Sequence, residues 1–159
     1  MRFRIFALLM LLPGGLAAQG GPRYVNPPTL VKPNGYTHVV VAPDGRTAYV
    51  AGQVAFDSAG QLVGGSDFRA QADRVFQNLR RALTSVGGSL DDVVKTTTFV
   101  TDPKNVALLR EIRLKYLDAV HPPANTLVVV TSLARPNLLI EIEAVAVLSG
   151  VVRHTGAER

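Results

Sequence analysis

The sequence predicts an α+β domain in which two helices pack on one mixed sheet. A length of 159 residues is typical of one domain. A hydrophobic content of 47% with 18% charged residues indicates a folded core rather than a disordered chain. Strand-like and helix-like segments follow one another in the order β-β-α-β-α-β-β. We expect this domain to occupy residues 37–150, after an arm at 21–36 and before a tail at 151–159.

The first two strands are predicted at 37–42 and 47–53, where Val and other β-forming residues dominate. The sequence Pro-Asp-Gly-Arg at 43–46 separates them, with Pro presetting φ and Gly permitting positive φ. The composition therefore predicts a hairpin.

The first helix is predicted over residues 67–86, because apolar residues recur there every three or four positions. These positions are Phe68, Ala72, Val75, Phe76, Leu79, Leu83 and Val86. Ser66 is a plausible N-cap, and the pair Gly87-Gly88 is a strong stop signal.

The remaining segments complete the order. They are a capped turn at 89–92, a strand at 95–101, a helix opened by Asp102-Pro103 and ended by 121–123, and strands at 125–133 and 138–148.

The last strand is apolar on both faces. Leu139, Val145 and Val147 alternate with Ile140 and Ile142. Two helices can cover only one face of the sheet, and soluble monomers rarely expose a large apolar patch. We therefore expect the second face to pack against other subunits.

The first twenty residues have the features of a cleaved secretory signal peptide. Arg2 and Arg4 precede an apolar run at 5–12, and small residues follow at Ala17 and Ala18. This predicts a periplasmic or secreted protein that has no membrane segment after cleavage, since the run is too short to span a bilayer. The alternative is a flexible or core-packed N-terminal extension.

Charge and composition exclude several classes of function. The net charge is +5, but the basic residues are scattered, which makes nucleic acid an unlikely partner. There is no Cys, and the spacing of His38, His121 and His154 does not match a metal site. The sequence has no GxSxG motif, P-loop lysine or GxGxxG motif, so we expect no metal and no cofactor.

Two carboxylates remain as chemical candidates, Glu141 and Glu143, on a mostly apolar strand face. Burying a carboxylate is costly unless it has a partner, so such a residue is either paired in a salt bridge or retained for chemistry. Spacing alone leaves both interpretations open, with the salt bridge favoured.

The chain resembles the RidA (YjgF) reactive-intermediate deaminases over about residues 30–149. The ordered set that carries the resemblance is Gly35-Tyr36, Tyr49-Val50-Ala51-Gly52-Gln53, Asp57, Gly60, Gln71, Asn78-Leu79, Gly87, Leu90, Asp92-Val93-Val94-Lys95-Thr96, Asp102, Pro123-Ala124 and Ile140-Glu141-Ile142-Glu143-Ala144.

This resemblance implies a homotrimer of the chorismate-mutase-like fold, with a small-molecule pocket at each subunit boundary. It implies hydrolysis of 2-imino or enamine acids to 2-keto acids and ammonia, without metal or cofactor. In such proteins an arginine binds the substrate carboxylate, and the first Glu of the Glu-Ile-Glu segment positions the attacking water.

Carried over by position, the resemblance implies that Glu141 and Tyr36 are catalytic and that Gly52 lines the substrate pocket. Three positions depart from the pattern. Ala51 replaces a serine, Arg110 replaces an asparagine, and Asn125 replaces the carboxylate-binding arginine.

An uncharged amide at position 125 leaves two functions open. One is a RidA-like hydrolytic deaminase in which Arg110 returns a guanidinium to the pocket. The other is a non-catalytic trimer that binds a small ligand or acts as a holdase, with Arg110 a solvated helix residue.

Overall fold

A computed structural model describes residues 22–25, 39–41 and 46–148 of the chain. The strands are β1 (Arg23–Val25), β2 (Val39–Val41), β3 (Arg46–Gln53), β4 (Val93–Val100), β5 (Ala124–Val129) and β6 (Ile140–Leu148). The helices are α1 (Phe68–Thr84) and α2 (Val106–Arg113), and single 3-10 turns occur at Leu90–Asp92 and Pro103–Asn105. The expected signal peptide at 1–20 and the tail at 151–159 lie outside these residues.

The main sheet has four strands in the order β3-β6-β4-β5. Strands β4 and β5 are parallel, while β6 is antiparallel to both of its neighbours, so the sheet is mixed as predicted. The predicted hairpin between the first two strands is wrong. Strand β2 pairs with β1 in a separate ribbon, and β3 pairs with β6. Turn composition indicates where a chain bends, but distant partners decide which strands pair.

Helix α1 is confirmed, with its cap shifted by one residue. Asp67 rather than Ser66 is the N-cap, since its Oδ1 accepts hydrogen bonds from the backbone N–H groups of Arg69 (2.8 Å) and Ala70 (3.3 Å). The predicted apolar face is buried up to Leu83, whereas Val86 lies beyond the helix and is 44% exposed. Gly87 follows with φ +78°, the left-handed conformation in which glycine ends a helix.

Helix α2 is shorter than predicted and ends at Arg113. The chain continues in turns, in which the N–H groups of Tyr116 and Leu117 donate to the Arg113 carbonyl. Leu117 is still buried, and the Tyr116 ring stacks on Phe76 with centroids 4.8 Å apart. The periodicity therefore identified residues of the core correctly but extended the helix too far.

Both helices pack on one face of the main sheet. Apolar residues of α1 and α2 join Ile140, Ile142 and Ala144 of β6 in one buried cluster. The opposite face, which we call the open face, carries Tyr49, Val145 and the two glutamates of β6. Tyr49 is 82% exposed, and among the described residues no helix covers it. Within the same ranges, no helix is long and apolar enough to cross a membrane.

Candidate functional site

Glu141 lies near the start of β6, opposite Phe99 of β4. Its neighbours Ile140 and Ile142 are buried against the helices, so the alternation of the strand directs Glu141 to the open face. The side chain is half-buried. Within residues 46–148 its carboxylate has no hydrogen bond or ion pair, so the salt bridge favoured from spacing is not formed there. Glu143, on the same face, is exposed.

A β-bulge in β3 brings the backbone of Gly52 against this carboxylate. Val50 lies opposite Ala144 and Gln53 opposite Ile142, so three steps along β3 match two along β6. A Cβ atom at position 52 would lie 2.8 Å from Cδ of Glu141 and would overlap its Oε1. Only glycine fits beside the carboxylate as it is placed. A bulge also leaves a residue outside the sheet ladder, which is why bulges are frequent near active sites.

A hollow of about 350 Å³ lies on the open face near Ala51, Lys95 and Glu143. The Lys95 Nζ donates to the Thr96 carbonyl and to the Thr126 hydroxyl, at 2.8 Å each. Burial lowers the pKa of the Lys95 ammonium, and the charge of Glu143 opposes this shift. Ala51 is exposed at the wall of this hollow.

Asn125 lies on β5, and two buried threonines of β4 fix its side-chain amide. Its Oδ1 accepts hydrogen bonds from the hydroxyls of Thr96 (2.9 Å) and Thr98 (3.4 Å). Because the amide oxygen is occupied, the Nδ2 group is the part left to contact a ligand, and it has no acceptor among the described residues. Asn125 thus presents uncharged hydrogen-bond donors at the position where the RidA-type sequence pattern has an arginine.

Asn125 and Glu141 lie on opposite faces of the sheet. Asn125 is opposite Thr96 on β4, and Glu141 is opposite Phe99. Residues opposite one another point to the same face, and positions an odd number apart on one strand point to different faces. One copy of the chain therefore does not bring the two side chains into one pocket.

Arg110 is exposed on the last turn of α2 and lines a small groove together with Arg113. Neither Glu141 nor Asn125 lines this groove. Burial lowers the pKa of the Arg113 guanidinium, and the nearby charge of Arg110 lowers it further. Tyr36, the other expected catalytic residue, lies outside the described residues.

One residue that supports the site was not singled out for that role by the sequence analysis. Gln71 is fully buried, and its Oε1 accepts from the N–H of Leu139 at 2.9 Å. Its Nε2 donates to the carbonyls of Gly65 (2.6 Å) and Asn137 (2.9 Å). Gln71 thereby fixes the chain two residues before Glu141. The sequence signal that could have identified Gln71 is its position as a polar residue on the apolar face of α1.

Among the described residues, no group of three or more His, Asp or Glu side chains is placed to hold a metal ion. On one face of the sheet, the half-buried Glu141 carboxylate lies beside the bulged Gly52 and can orient a water molecule. On the other face, the Asn125 amide has donors that can bind a small polar ligand.

Comparisons with known proteins agree with this architecture. The family model named endoribonuclease L-PSP matches residues 29–148. A RutC family protein of Pyrococcus abyssi is 37% identical over 103 residues, which cover 64% of this chain and 79% of that protein.

Two crystal structures are also similar. The conserved Rid family protein YyfB from Yersinia pestis has a TM-score of 0.74 and 41% identity, with 81% of this chain and 100% of that one covered. RidA from the Antarctic bacterium Psychrobacter has a TM-score of 0.61 and 34% identity, with 72% and 89% covered.

Proposed function

This chain belongs to the Rid family, which the endoribonuclease L-PSP model describes, and on that premise we propose that it hydrolyses small imines or enamines. The observation that carries the proposal is the Glu141 carboxylate, half-buried beside the Gly52 bulge and unpaired among the described residues. A carboxylate kept in such a place without a structural partner is suited to act as a general base.

In the proposed reaction, Glu141 accepts a proton from a water molecule as the water oxygen bonds to the imine carbon. The C=N double bond becomes a single bond, and Glu141 passes the proton to the nitrogen, which restores the carboxylate and gives a neutral carbinolamine. Glu141 then moves the hydroxyl proton of the carbinolamine to the amino nitrogen, so the C–N bond breaks, ammonia leaves and a carbonyl compound remains. An enamine enters the same route once its proton has moved from nitrogen to carbon and it has become the imine. Water is the only co-reactant, so the atoms balance without a cofactor.

Substrate recognition in this proposal requires two copies of the chain. Since Asn125 and Glu141 face opposite sides of the sheet, the amide of one copy meets the carboxylate of the next only where two copies adjoin. We propose that the open face is this interface in a homotrimer, because Tyr49 and its apolar neighbours have no cover there among the described residues.

A second candidate function is favoured by Asn125. A non-catalytic trimer that binds a small ligand, or acts as a holdase, needs no guanidinium for an acidic substrate. Losing a hydrogen bond to a charged group costs roughly 1.5–3 kcal/mol, or about 10–150-fold in affinity. The two candidates differ in whether water attack is accelerated.

The test is ammonia release from imines generated in the assay by an amino-acid oxidase. We expect wild-type protein to exceed the spontaneous rate, and Glu141→Gln to reduce the catalysed rate by about 100-fold or more. Glu143→Gln is the matched control, on the same strand and face but exposed, and it should retain activity. No acceleration by wild type would favour the binding function, and equal losses in both variants would contradict a specific role for Glu141.

We also propose that the mature protein is exported, on the basis of Arg2, Arg4 and the apolar run at 5–12. Sequencing the N-terminus of protein recovered from its native cells should find a start near residues 18–21. Recovery of an intact Met1 from the cytoplasm would show that the segment is retained.

A further inference from the structure

A small groove at the C-terminal end of α2 combines two cations with apolar walls. Its volume is about 110 Å³. Arg110 and Arg113 supply the charge, and Leu114, Leu117 and Pro122 supply apolar surface. Leu114 is 65% exposed at this groove, so its apolar side chain is accessible to a ligand there.

Neither guanidinium has a hydrogen-bond or ion-pair partner in the part of the chain that the structure describes. Other arginines on the helices do have partners. Arg69 pairs with Glu111 at 3.3 Å, and Arg81 donates to the Asn78 side chain at 2.9 Å. The negative end of a helix favours cations, which explains why two arginines are tolerated at this position. It does not explain why Arg113 is half-buried without an acidic partner, since burial and the neighbouring charge both oppose its ionisation.

The acidic residue beside the groove is already occupied by its own turn. The Asp118 carboxylate accepts hydrogen bonds from the N–H groups of Val120 (2.6 Å) and His121 (3.2 Å), and its Oδ2 contacts Nδ1 of His121 at 3.3 Å. These bonds lower the pKa of Asp118, so it keeps its negative charge. It forms no ion pair with the arginines, and its charge repels a doubly charged anion more strongly than a singly charged one.

We propose that this groove binds a small monocarboxylate, with the carboxylate against Arg110 and Arg113 and a short apolar chain against Leu114 and Leu117. Guanidinium groups match a planar carboxylate in a two-point contact. A volume of about 110 Å³ matches a chain of a few carbon atoms. The charge of Asp118 selects a singly charged ligand over inorganic phosphate. The site is independent of the reaction proposed for Glu141, and binding at the groove requires no turnover.

The experiment is a titration of isotopically labelled full chain, followed by backbone amide shifts in NMR spectra. The probes are butyrate, its neutral analogue butyramide, and inorganic phosphate. We expect saturable shifts at residues 110–118 with butyrate, no binding of butyramide, and weaker binding of phosphate. Arg113→Met, which keeps the apolar stem, should weaken butyrate binding by about tenfold.

Arg80→Met is the matched control, because it removes the same charge from a helix but does not line the groove. It should leave the affinity for butyrate unchanged. Arg110→Met provides a second variant if Arg113→Met fails to fold, and Asp118→Asn should tighten phosphate more than butyrate. Absence of saturable butyrate shifts would overturn the proposal. So would equal binding of butyramide, or an equal loss in Arg80→Met.

Discussion

Replacing Gly52 with alanine tests whether the position of the Glu141 carboxylate matters. The new Cβ atom would lie 2.8 Å from Cδ of Glu141, against 3.4 Å or more in an ordinary contact. The carboxyl carbon must therefore withdraw by at least about 0.6 Å, and the nearer oxygen by more. A misplacement of about 1 Å in a catalytic group can cost about 100-fold in rate. We expect Gly52→Ala to lower imine hydrolysis by about 10- to 100-fold.

Stability should change little in this variant. The atoms that the new Cβ would meet belong to the flexible end of the half-buried Glu141 side chain, and Gly52 does not have a positive φ that would strain an alanine. We expect a loss of about 1 kcal/mol or less in the free energy of unfolding, at the low end of overpacking costs.

The assay compares ammonia release and urea unfolding for wild type, Gly52→Ala, Glu141→Gln and the double variant. If Glu141 is the base, Gly52→Ala should have no further effect on rate once Glu141 is glutamine. If Gly52→Ala hydrolyses imines at the wild-type rate, catalysis does not depend on the present position of the Glu141 carboxylate, and the reasoning is refuted. A rate loss that persists in the Glu141→Gln background would assign position 52 a separate role.

Three further predictions concern the support, the specificity and the assembly of the site. Gln71→Leu leaves the N–H of Leu139 and two carbonyls without partners, so urea unfolding should show a loss of about 2–4 kcal/mol, while the exposed control Gln61→Leu should show almost none. Asn125→Arg should raise kcat/KM for imino acids by about tenfold or more, because it adds a charged hydrogen bond to the substrate carboxylate; an unchanged value would mean that position 125 does not limit recognition. Light scattering of the mature chain at micromolar concentration should give about three times the protomer mass, and a clean monomer would contradict the shared site.

Local patterns in the sequence predicted much of the fold. The spacing of Phe68, Val75, Phe76 and Leu79 identified both α1 and its buried face, because helical periodicity and burial are one signal. The choice of partner for β3 was not predictable in this way. Pairing of β3 with β6 joins residues about 95 positions apart, and such pairing depends on packing across the whole sheet rather than on the turn between neighbours.

The same limit applies to the candidate site. Strand alternation placed Glu141 on the face opposite Ile140 and Ile142, as the structure shows. Its contact with Gly52 depends on a bulge, and one extra residue in a ladder leaves no clear mark on a sequence. The amide orientation of Asn125 likewise depends on hydroxyl groups of a neighbouring strand, which spacing along the chain does not reveal.

Because Asn125 and Glu141 point to opposite faces of one sheet, the activity should depend on the protein concentration. An isolated protomer would hold half of each proposed site, so specific activity should fall on dilution once the copies separate. Two inactive chains, one altered at Asn125 and the other at Glu141, would still form some intact sites when mixed. The catalytic unit would then be the contact between two chains. The activity per protomer would rise with the concentration of the protein in its compartment.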